Sequence, residues 1–224
     1  MGKNVGAHEL KQRIEPNSHQ TARTIKLEGC LARAGTPRRL AHMEPSEQDV
    51  LAATERWLEK AVIGLNLCPF AKPVQRSGRI RFQVSQARTP QALLADLAAE
   101  LTHLHTTPVQ ECETTLLIHP FLFDDFLDFN AFLDDAEEVV ETLKLTGILQ
   151  VASFHPAYQF AGTEPDDIEN FTNRSPYPTL HLLRESSIEK AVEAYDDPST
   201  IYEENIQTLR RLGRDGWKKL WEGT

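Results

Sequence analysis

Two short apolar segments, each stopped by a His-Pro pair, constrain the fold of this chain more than any other feature of its sequence. Residues 114–118 run into His119 and residues 149–154 run into His155, and a proline follows each histidine. Short apolar runs bounded by such breakers are typical of strands buried on both faces. Between them, 130–143 repeats apolar side chains at steps of three and four residues, which predicts a helix. Strand, helix and strand in this order predict a crossover between parallel strands.

The same periodicities predict further helices and strands before and after this strand–helix–strand unit. Ser46, with Asp49 three residues later, predicts the capped start of a helix that ends near Asn66. Two prolines within 68–73 predict an irregular segment, and alternating apolar and polar side chains predict a half-exposed strand at 80–84. The remaining predicted elements are a helix that starts after Thr89 and Pro90 and carries leucines to Leu104, a strand from Thr179 to Leu183, helices at 187–195 and at 199–212 before Gly213, and a short turn at 217–221.

This order of elements predicts one α/β domain over 43–224, with α+β as the alternative class. We expect a compact, mainly parallel four-stranded sheet covered by helices, with helical elements at both the N-terminal and the C-terminal end. Three strands are expected to be parallel, whereas the pattern leaves the direction of the fourth strand open.

The first 42 residues differ from the rest of the chain in charge and in apolar content. They hold eight Lys or Arg and three Asp or Glu, whereas the whole chain has a net charge of -9. They contain no aromatic side chain and no sustained apolar period, so we predict a disordered extension. Met43 is then the expected natural start. A transit peptide is the rival interpretation, which Glu9, Glu15 and Glu28 weaken.

Composition excludes several classes of protein. A net charge of -9 argues against a nucleic-acid-binding protein, which normally carries a basic surface. No apolar run reaches the roughly 18 residues of a membrane span, and the start has no apolar signal-peptide core. Cys30, Cys68 and Cys112 form no metal-type spacing and leave an odd thiol, which indicates a reducing compartment. We therefore expect a soluble, cytoplasmic protein without membrane or nucleic-acid partners; the sequence does not predict its oligomeric state.

Four motifs, in order, resemble a bacterial family described as domain of unknown function 1415. The motifs are NLCPFAK at 66–72, LDFN at 127–130, QVASFHP at 150–156 with YQFA at 158–161, and TNRSPYPTLHLLRE at 172–185. The resemblance runs from about Glu44 to Leu220. It implies a cytoplasmic bacterial protein and carries no activity, cofactor or catalytic residue with it.

The best candidate for a functional site follows from the two strand ends. If the strands are parallel, His119 and His155 lie at the same carboxyl edge of the sheet, where open sheets bind ligands. Two imidazoles with a carboxylate could hold a divalent metal such as zinc or iron, and without a metal one histidine could act as a general base. The alternative is that each imidazole caps its strand by a hydrogen bond to the backbone. The loops at this edge also carry Asp124, Asp125 and Asp128 on one side and Tyr158, Asn173, Arg174 and Ser175 on the other.

Arg174 and Cys68 each admit a functional and a structural interpretation. The planar fork of Arg174 suits a carboxylate or phosphate group, but it could equally hold its long loop by pairing with Asp166, Asp167 or Glu169. A nucleophilic Cys68 thiolate could form if Lys72 lay close, whereas a buried structural thiol is the commoner case.

These observations lead to two functional hypotheses. The first is a small-molecule enzyme or enzyme-like ligand-binding domain with its site at the carboxyl edge of the sheet. The alternative is a non-catalytic regulatory or assembly module. The enzyme hypothesis requires a concave pocket into which the candidate side chains point. Its candidate catalytic residues are His155, His119 and Arg174; its candidate ligand-binding residues are Asn173, Ser175, Tyr158 and Lys72; and its candidate metal ligands are His119 and His155.

Overall fold

A four-stranded sheet forms the centre of the structure, a computed structural model that describes residues 44–193, 197 and 200–222. The predicted disorder of 1–42 and the proposed start at Met43 lie outside the described residues. In chain order the elements are α1 (Glu47–Trp57), a π-helical continuation (Leu58–Ile63), α2 (Ala71–Arg76), β1 (Ile80–Val84), α3 (Pro90–Thr106), β2 (Thr114–Ile118), α4 (Phe126–Thr142), β3 (Leu149–Phe154), a 3-10 helix (Ile168–Thr172), β4 (Thr179–Arg184), α5 (Glu185–Glu193) and α6 (Thr200–Lys219).

The strand order is β1-β2-β4-β3, and the sheet is mixed. β1 pairs with β2 in parallel, whereas β4 lies between β2 and β3 and runs antiparallel to both. The α/β class is confirmed, but the prediction of a mainly parallel sheet is wrong. The reason lies in the 155–178 connection, which leaves β3 and enters β4 at the same edge of the sheet. The first residue of β4, Thr179, pairs with the last residue of β3, Phe154, so β4 has to run back along β3.

Each face of the sheet is covered by helices, because the strand side chains alternate between two apolar clusters. On one face, the leucines of α3 and the apolar side of α4 pack against strand residues that include Leu117, Leu180 and Leu182. On the other face, α1 and its π-helical continuation pack against Leu116, Ile118 and the side chains of β1. Three layers result, and both sides of the central strands are buried, as the continuous apolar run of β2 predicts.

Helix starts follow the predicted caps, with two differences. Ser46 and Asp49 form the predicted capping box. Residues 68–73 were predicted to be irregular, which is wrong for their last part: α2 begins at Ala71. Pro73 is tolerated because it lies in the first turn, where backbone N–H groups have no partner within the helix. α4 begins four residues before the predicted 130–143 segment, because the Asp125 side chain accepts hydrogen bonds from two backbone N–H groups of the first turn.

The tail helix bends at the predicted glycine. Gly213 has φ 65° and ψ 175°, which is not helical, so the helical run from Thr200 ends there as predicted and a second helical segment of α6 continues to Lys219. This backbone conformation is accessible to glycine and strained for other residues, so the break is fixed by the sequence. The turn that follows brings Trp217 and Trp221 against the cluster of Trp57 and Leu58.

Candidate functional site

His119 and His155 lie at the same edge of the sheet, with β4 between their strands. Ile118 and Phe154, the last residues of β2 and β3, both pair with Thr179 from opposite sides. One strand therefore separates the strands that carry the two histidines. Both histidines are completely buried, with 0% of their surface exposed.

The ring of Phe129, on α4, contacts both imidazoles. Its centroid lies 5.4 Å from that of His119 and 5.3 Å from that of His155, and it stacks on the latter at an interplanar angle of 24°. Phe123 packs against His119 and Phe129 as well. An apolar ring, and not an open space, thus lies against the two histidines.

Both ring nitrogens of His155 are used by backbone groups. Its Nδ1 accepts a hydrogen bond from the N–H of Ala157 at 3.0 Å, so the proton of the neutral ring is on Nε2, which donates to the carbonyl of Phe123 at 2.9 Å. Burial lowers the pKa of His155, although the Phe123 hydrogen bond and the Asp125 carboxylate oppose this. A general base or a metal ligand needs an available nitrogen lone pair, and neither nitrogen of His155 offers one.

His119 has one weak hydrogen bond and one unpartnered nitrogen. Its Nδ1 lies 3.4 Å from the carbonyl oxygen of Leu122, whereas Nε2 is buried without a partner. Burial lowers the pKa of His119 to about 3, so the ring is neutral at pH 7. Within the described part of the chain there is no group of three or more His, Cys, Asp or Glu side chains that could hold a metal ion. The geometry gives the two-histidine metal site no support.

Arg174 holds the 155–178 connection together through backbone carbonyls. Its Nε donates to the oxygen of Tyr158 at 3.2 Å, its Nη2 donates to the oxygen of Pro165 at 2.6 Å, and its guanidinium lies 4.4 Å from the ring centre of Phe171. Burial lowers the pKa of Arg174. The structural interpretation is favoured, but its expected partners are wrong. The carboxylates of Asp166 and Glu169 pair with Arg214 and Arg210 of α6.

Of the four candidate ligand-binding residues, three lie in the connection between β3 and β4 and one lies elsewhere. Asn173 donates from Nδ2 to the carbonyl of Ser153 at 3.3 Å, and Ser175 is buried and donates to the carbonyl of Tyr177 at 2.6 Å. Tyr158 is buried with its ring against Phe126 and Phe160. Lys72 is exposed on α2, which packs on the face of the sheet opposite to the two imidazoles. The structure brings three of the four to the predicted edge, and Lys72 lies apart from them.

Cys68 lies in the turn before α2, where it packs against the cluster of Trp57, Leu58, Ala61 and Val62. Burial raises the pKa of its thiol, and the backbone N–H groups of Phe70 and Ala71 only partly offset this effect. A thiol with a raised pKa is a poor nucleophile at neutral pH, so the environment agrees with the structural interpretation.

A surface cavity that is open to solvent, and that the sequence did not indicate, lies beside the carboxyl end of β1. Its volume is about 260 Å³, and it is lined by Gln83, Val84, Ser85, Gln86, Asp96, Ala99 and Glu100. β1 is an edge strand whose chain direction matches that of β2, so the cavity is on the same edge of the sheet as the two histidines. The lining comes from only two elements, the strand end and one side of α3.

The strand and the helix carry these polar residues at different spacings. Arg81 and Ser85 are four residues apart on the strand, about 13 Å, whereas Asp96 and Glu100 are about one turn apart on the helix, about 6 Å. The long side chain of Arg81 reaches Glu100 through two hydrogen bonds of 2.7 and 3.0 Å, while Ser85 meets Asp96 at 2.5 Å. Between these two polar pairs, Ala99 presents only a methyl group, and the space that a longer side chain would fill is left open.

The charged side chains around the cavity do not neutralise one another completely. Arg81 is neutralised by Glu100, whose hydrogen bonds raise the pKa of the guanidinium, and it also donates to Oε1 of Gln83 at 2.9 Å. Asp96 accepts the Ser85 hydroxyl through Oδ2 and forms no ion pair with any described residue. The lining therefore carries one carboxylate that no cation compensates.

The structure is an α/β domain with a mixed four-stranded sheet. Buried polar side chains cover most of one edge of the sheet, and a surface cavity lies beside its first strand at that edge. Within that class, the chain belongs to the family described as Protein of unknown function (DUF1415), whose family model matches residues 49–219, as the motifs of the sequence indicated. The match includes every element described above except the first residues of α1. The comparison with curated proteins found no match, and neither did the comparison with solved structures. Over the described residues, no helix has the length and apolar character that crossing a membrane requires.

Proposed function

We propose that this protein binds a small polar molecule in the cavity between β1 and α3. The observation that carries the proposal is the cavity itself, about 260 Å³ in volume and bounded by two hydrogen-bonded pairs of side chains. This volume is just below the roughly 300–1,000 Å³ of ordinary ligand pockets, which limits the ligand to a small metabolite.

The lining is held in place before a ligand arrives. The bidentate pair between Arg81 and Glu100 fixes one end of the cavity, and Ser85, which also accepts the N–H of Ala87 at 3.0 Å, fixes the other. Side chains that are already ordered lose little further conformational entropy on binding, so even a small ligand can bind with useful affinity. His155 and Arg174 are assigned to the stability of the sheet edge instead, because their polar atoms serve the backbone, and His119 is buried against Phe123 and Phe129.

The alternative hypothesis, a non-catalytic regulatory or assembly module, also has an observation in its favour. His155 and Arg174, the side chains expected to face a substrate, are both used in internal hydrogen bonds, and Leu127 on α4 exposes 75% of its surface. An assembly module needs no ligand in the cavity, so occupancy of the cavity separates the two hypotheses.

A pair of leucine substitutions on α3 tests the proposal. Ala99→Leu adds a larger side chain to the lining of the cavity, whereas Ala95→Leu makes the same change at an equally exposed position of the same helix that does not line it. The ¹⁵N-labelled protein is screened by NMR against amino acids, aliphatic amines, sugars and monocarboxylates at millimolar concentration. We expect one of these classes to shift the amide signals of 83–86 and of Ala99, and we expect the shifts to disappear in Ala99→Leu but not in Ala95→Leu. Signals that no compound moves, or shifts that survive Ala99→Leu, would refute ligand binding at this site.

A further inference from the structure

We infer that the ligand of this cavity carries a protonated amine, which pairs with the Asp96 carboxylate. The inference rests on the proposed function, since it names the chemical class that the same cavity accepts. Two independent observations support the inference. The cavity is a preformed space of about 260 Å³, and its wall carries a carboxylate that no side chain of the described structure neutralises.

The nearby arginines are already paired. Arg81 uses Nε and Nη2 on Glu100 and Gln83. Arg88, four residues beyond the strand end, forms a bidentate pair with Glu44 and stacks over the ring of Phe121 at 4.4 Å. The negative charge of Asp96 therefore remains for a group from outside.

The remaining hydrogen-bonding capacity of Asp96 also favours a ligand that donates a hydrogen bond. The Ser85 hydroxyl gives its proton to Oδ2 of Asp96, so Oδ1 of the same carboxylate is left to accept a further hydrogen bond. Gln83 accepts the guanidinium of Arg81 through Oε1, which orients its amide within the lining. An ammonium group offers three donors and a positive charge, and its hydrogen bond to a carboxylate is stronger than one between neutral groups. A carboxylate or phosphate ligand would instead meet a like charge without a free cation to compensate it.

Three four-carbon compounds of nearly equal size separate charge from shape: n-butylammonium, butan-1-ol and butanoate. Each is titrated into the ¹⁵N-labelled full-length protein at pH 7 and low salt, and the amide signals of 83–86 and Ala99 are followed. We expect saturable binding of butylammonium in the millimolar range. We also expect butan-1-ol to bind at least tenfold more weakly, butanoate to leave the signals unchanged, and added NaCl to weaken the binding of the amine.

Asp96→Asn supplies the matched variant. The asparagine oxygen can still accept the Ser85 hydroxyl, so the local fold is retained while the charge is removed. Glu111→Gln removes one exposed carboxylate on the connection between α3 and β2, outside the cavity lining, and controls for the change in net charge. We expect Asp96→Asn to weaken butylammonium binding at least tenfold and Glu111→Gln to change it less than twofold.

The outcomes distinguish this inference from the proposed function. Butylammonium binding that survives Asp96→Asn, or a failure of butylammonium to bind, overturns the assignment of an amine. If butan-1-ol or butanoate binds instead, and Ala99→Leu abolishes that binding, the cavity remains a ligand site of another chemical class. If no compound of the wider screen binds either, both conclusions fall together.

Discussion

Replacing His155 with phenylalanine removes two hydrogen bonds while an aromatic ring remains against Phe129 and Phe126. The carbonyl of Phe123 and the N–H of Ala157 then lose their partners in a part of the structure where the imidazole is fully buried. Each buried backbone group without a partner costs about 1–3 kcal/mol. We expect His155→Phe to lower the free energy of unfolding by about 2–5 kcal/mol, which corresponds to roughly 5–15 °C in melting temperature for a domain of this size.

His119→Phe is the matched comparison, because His119 occupies the equivalent position at the end of β2. It loses only the 3.4 Å contact with the carbonyl of Leu122, and it also removes a buried nitrogen that has no partner. The two effects oppose each other, so we expect a change within about 1 kcal/mol of zero.

Urea denaturation followed by circular dichroism at pH 7 measures both variants. The reasoning requires His155→Phe to be the more destabilising substitution by at least about 1 kcal/mol, with similar denaturant slopes for both proteins. Equal losses, or a larger loss for His119→Phe, would show that ring packing and not the backbone hydrogen bonds determines the role of these histidines.

Three further predictions concern pH, the long connection and the thiol. The pKa of His119 falls to about 3 on folding from about 6.5 in the unfolded chain, so its contribution is complete above pH 6.5 and is lost as the pH falls. Between pH 7 and pH 5, wild type should therefore lose about 2 kcal/mol more stability than His119→Phe in denaturation experiments; parallel losses would contradict this. Arg174→Met removes the hydrogen bonds to the carbonyls of Tyr158 and Pro165, and we expect about 1–3 kcal/mol of destabilisation with faster proteolysis within 159–172; unchanged proteolysis would refute the role in holding the connection. Cys68 should react slowly with a thiol reagent in the native protein and quickly after unfolding, whereas rapid native labelling at pH 6, well below the unperturbed thiol pKa of about 8.5, would show an activated thiolate.

The elements of this fold were predictable where the signal is local. The apolar run of 114–118, the alternation at 80–84 and the capping box at Ser46 all depend on neighbours within a few residues, and all three appear in the structure. The order of strands in the sheet, in contrast, depends on pairs of residues that are far apart in the sequence. The position of β4 between β2 and β3 depends on pairing across 118–179, and a long proline-containing connection is compatible with either direction of the strand that follows it.

The histidines illustrate the same limit at the level of a site. The sequence places an imidazole at each strand end, but it does not show whether the ring nitrogens face a ligand or the backbone. That choice depends on the turn after β2, where Phe123 has φ 64° and its carbonyl oxygen lies 2.9 Å from Nε2 of His155. A positive φ at a phenylalanine has no signature in the sequence, because it is maintained by tertiary contacts of the ring.

The cavity was missed for a related reason, although its residues are visible in the sequence. Arg81, Gln83 and Ser85 alternate with apolar residues and are typical of a solvent-facing side of a strand, and Asp96 and Glu100 are four apart on a predicted helix. Neither pattern alone indicates a site. Only the direction of α3 along β1 brings the arginine to one carboxylate and the serine to the other.

The lengths of the connections explain why the opening is at β1 and not between the two histidines. After β2 and after β3, the chain folds back over the edge of the sheet: the N–H of His119 donates to the carbonyl of Pro178, and the N–H of His155 donates to that of Asn173. These connections cover the strand ends and turn the imidazoles into internal hydrogen-bonding groups. The connection at 85–89 is too short to fold back, because it passes directly from β1 into α3. The edge that the sequence indicated is thus closed at two of its three parallel strand ends, and in the described structure the end of β1 is the one that no long connection covers.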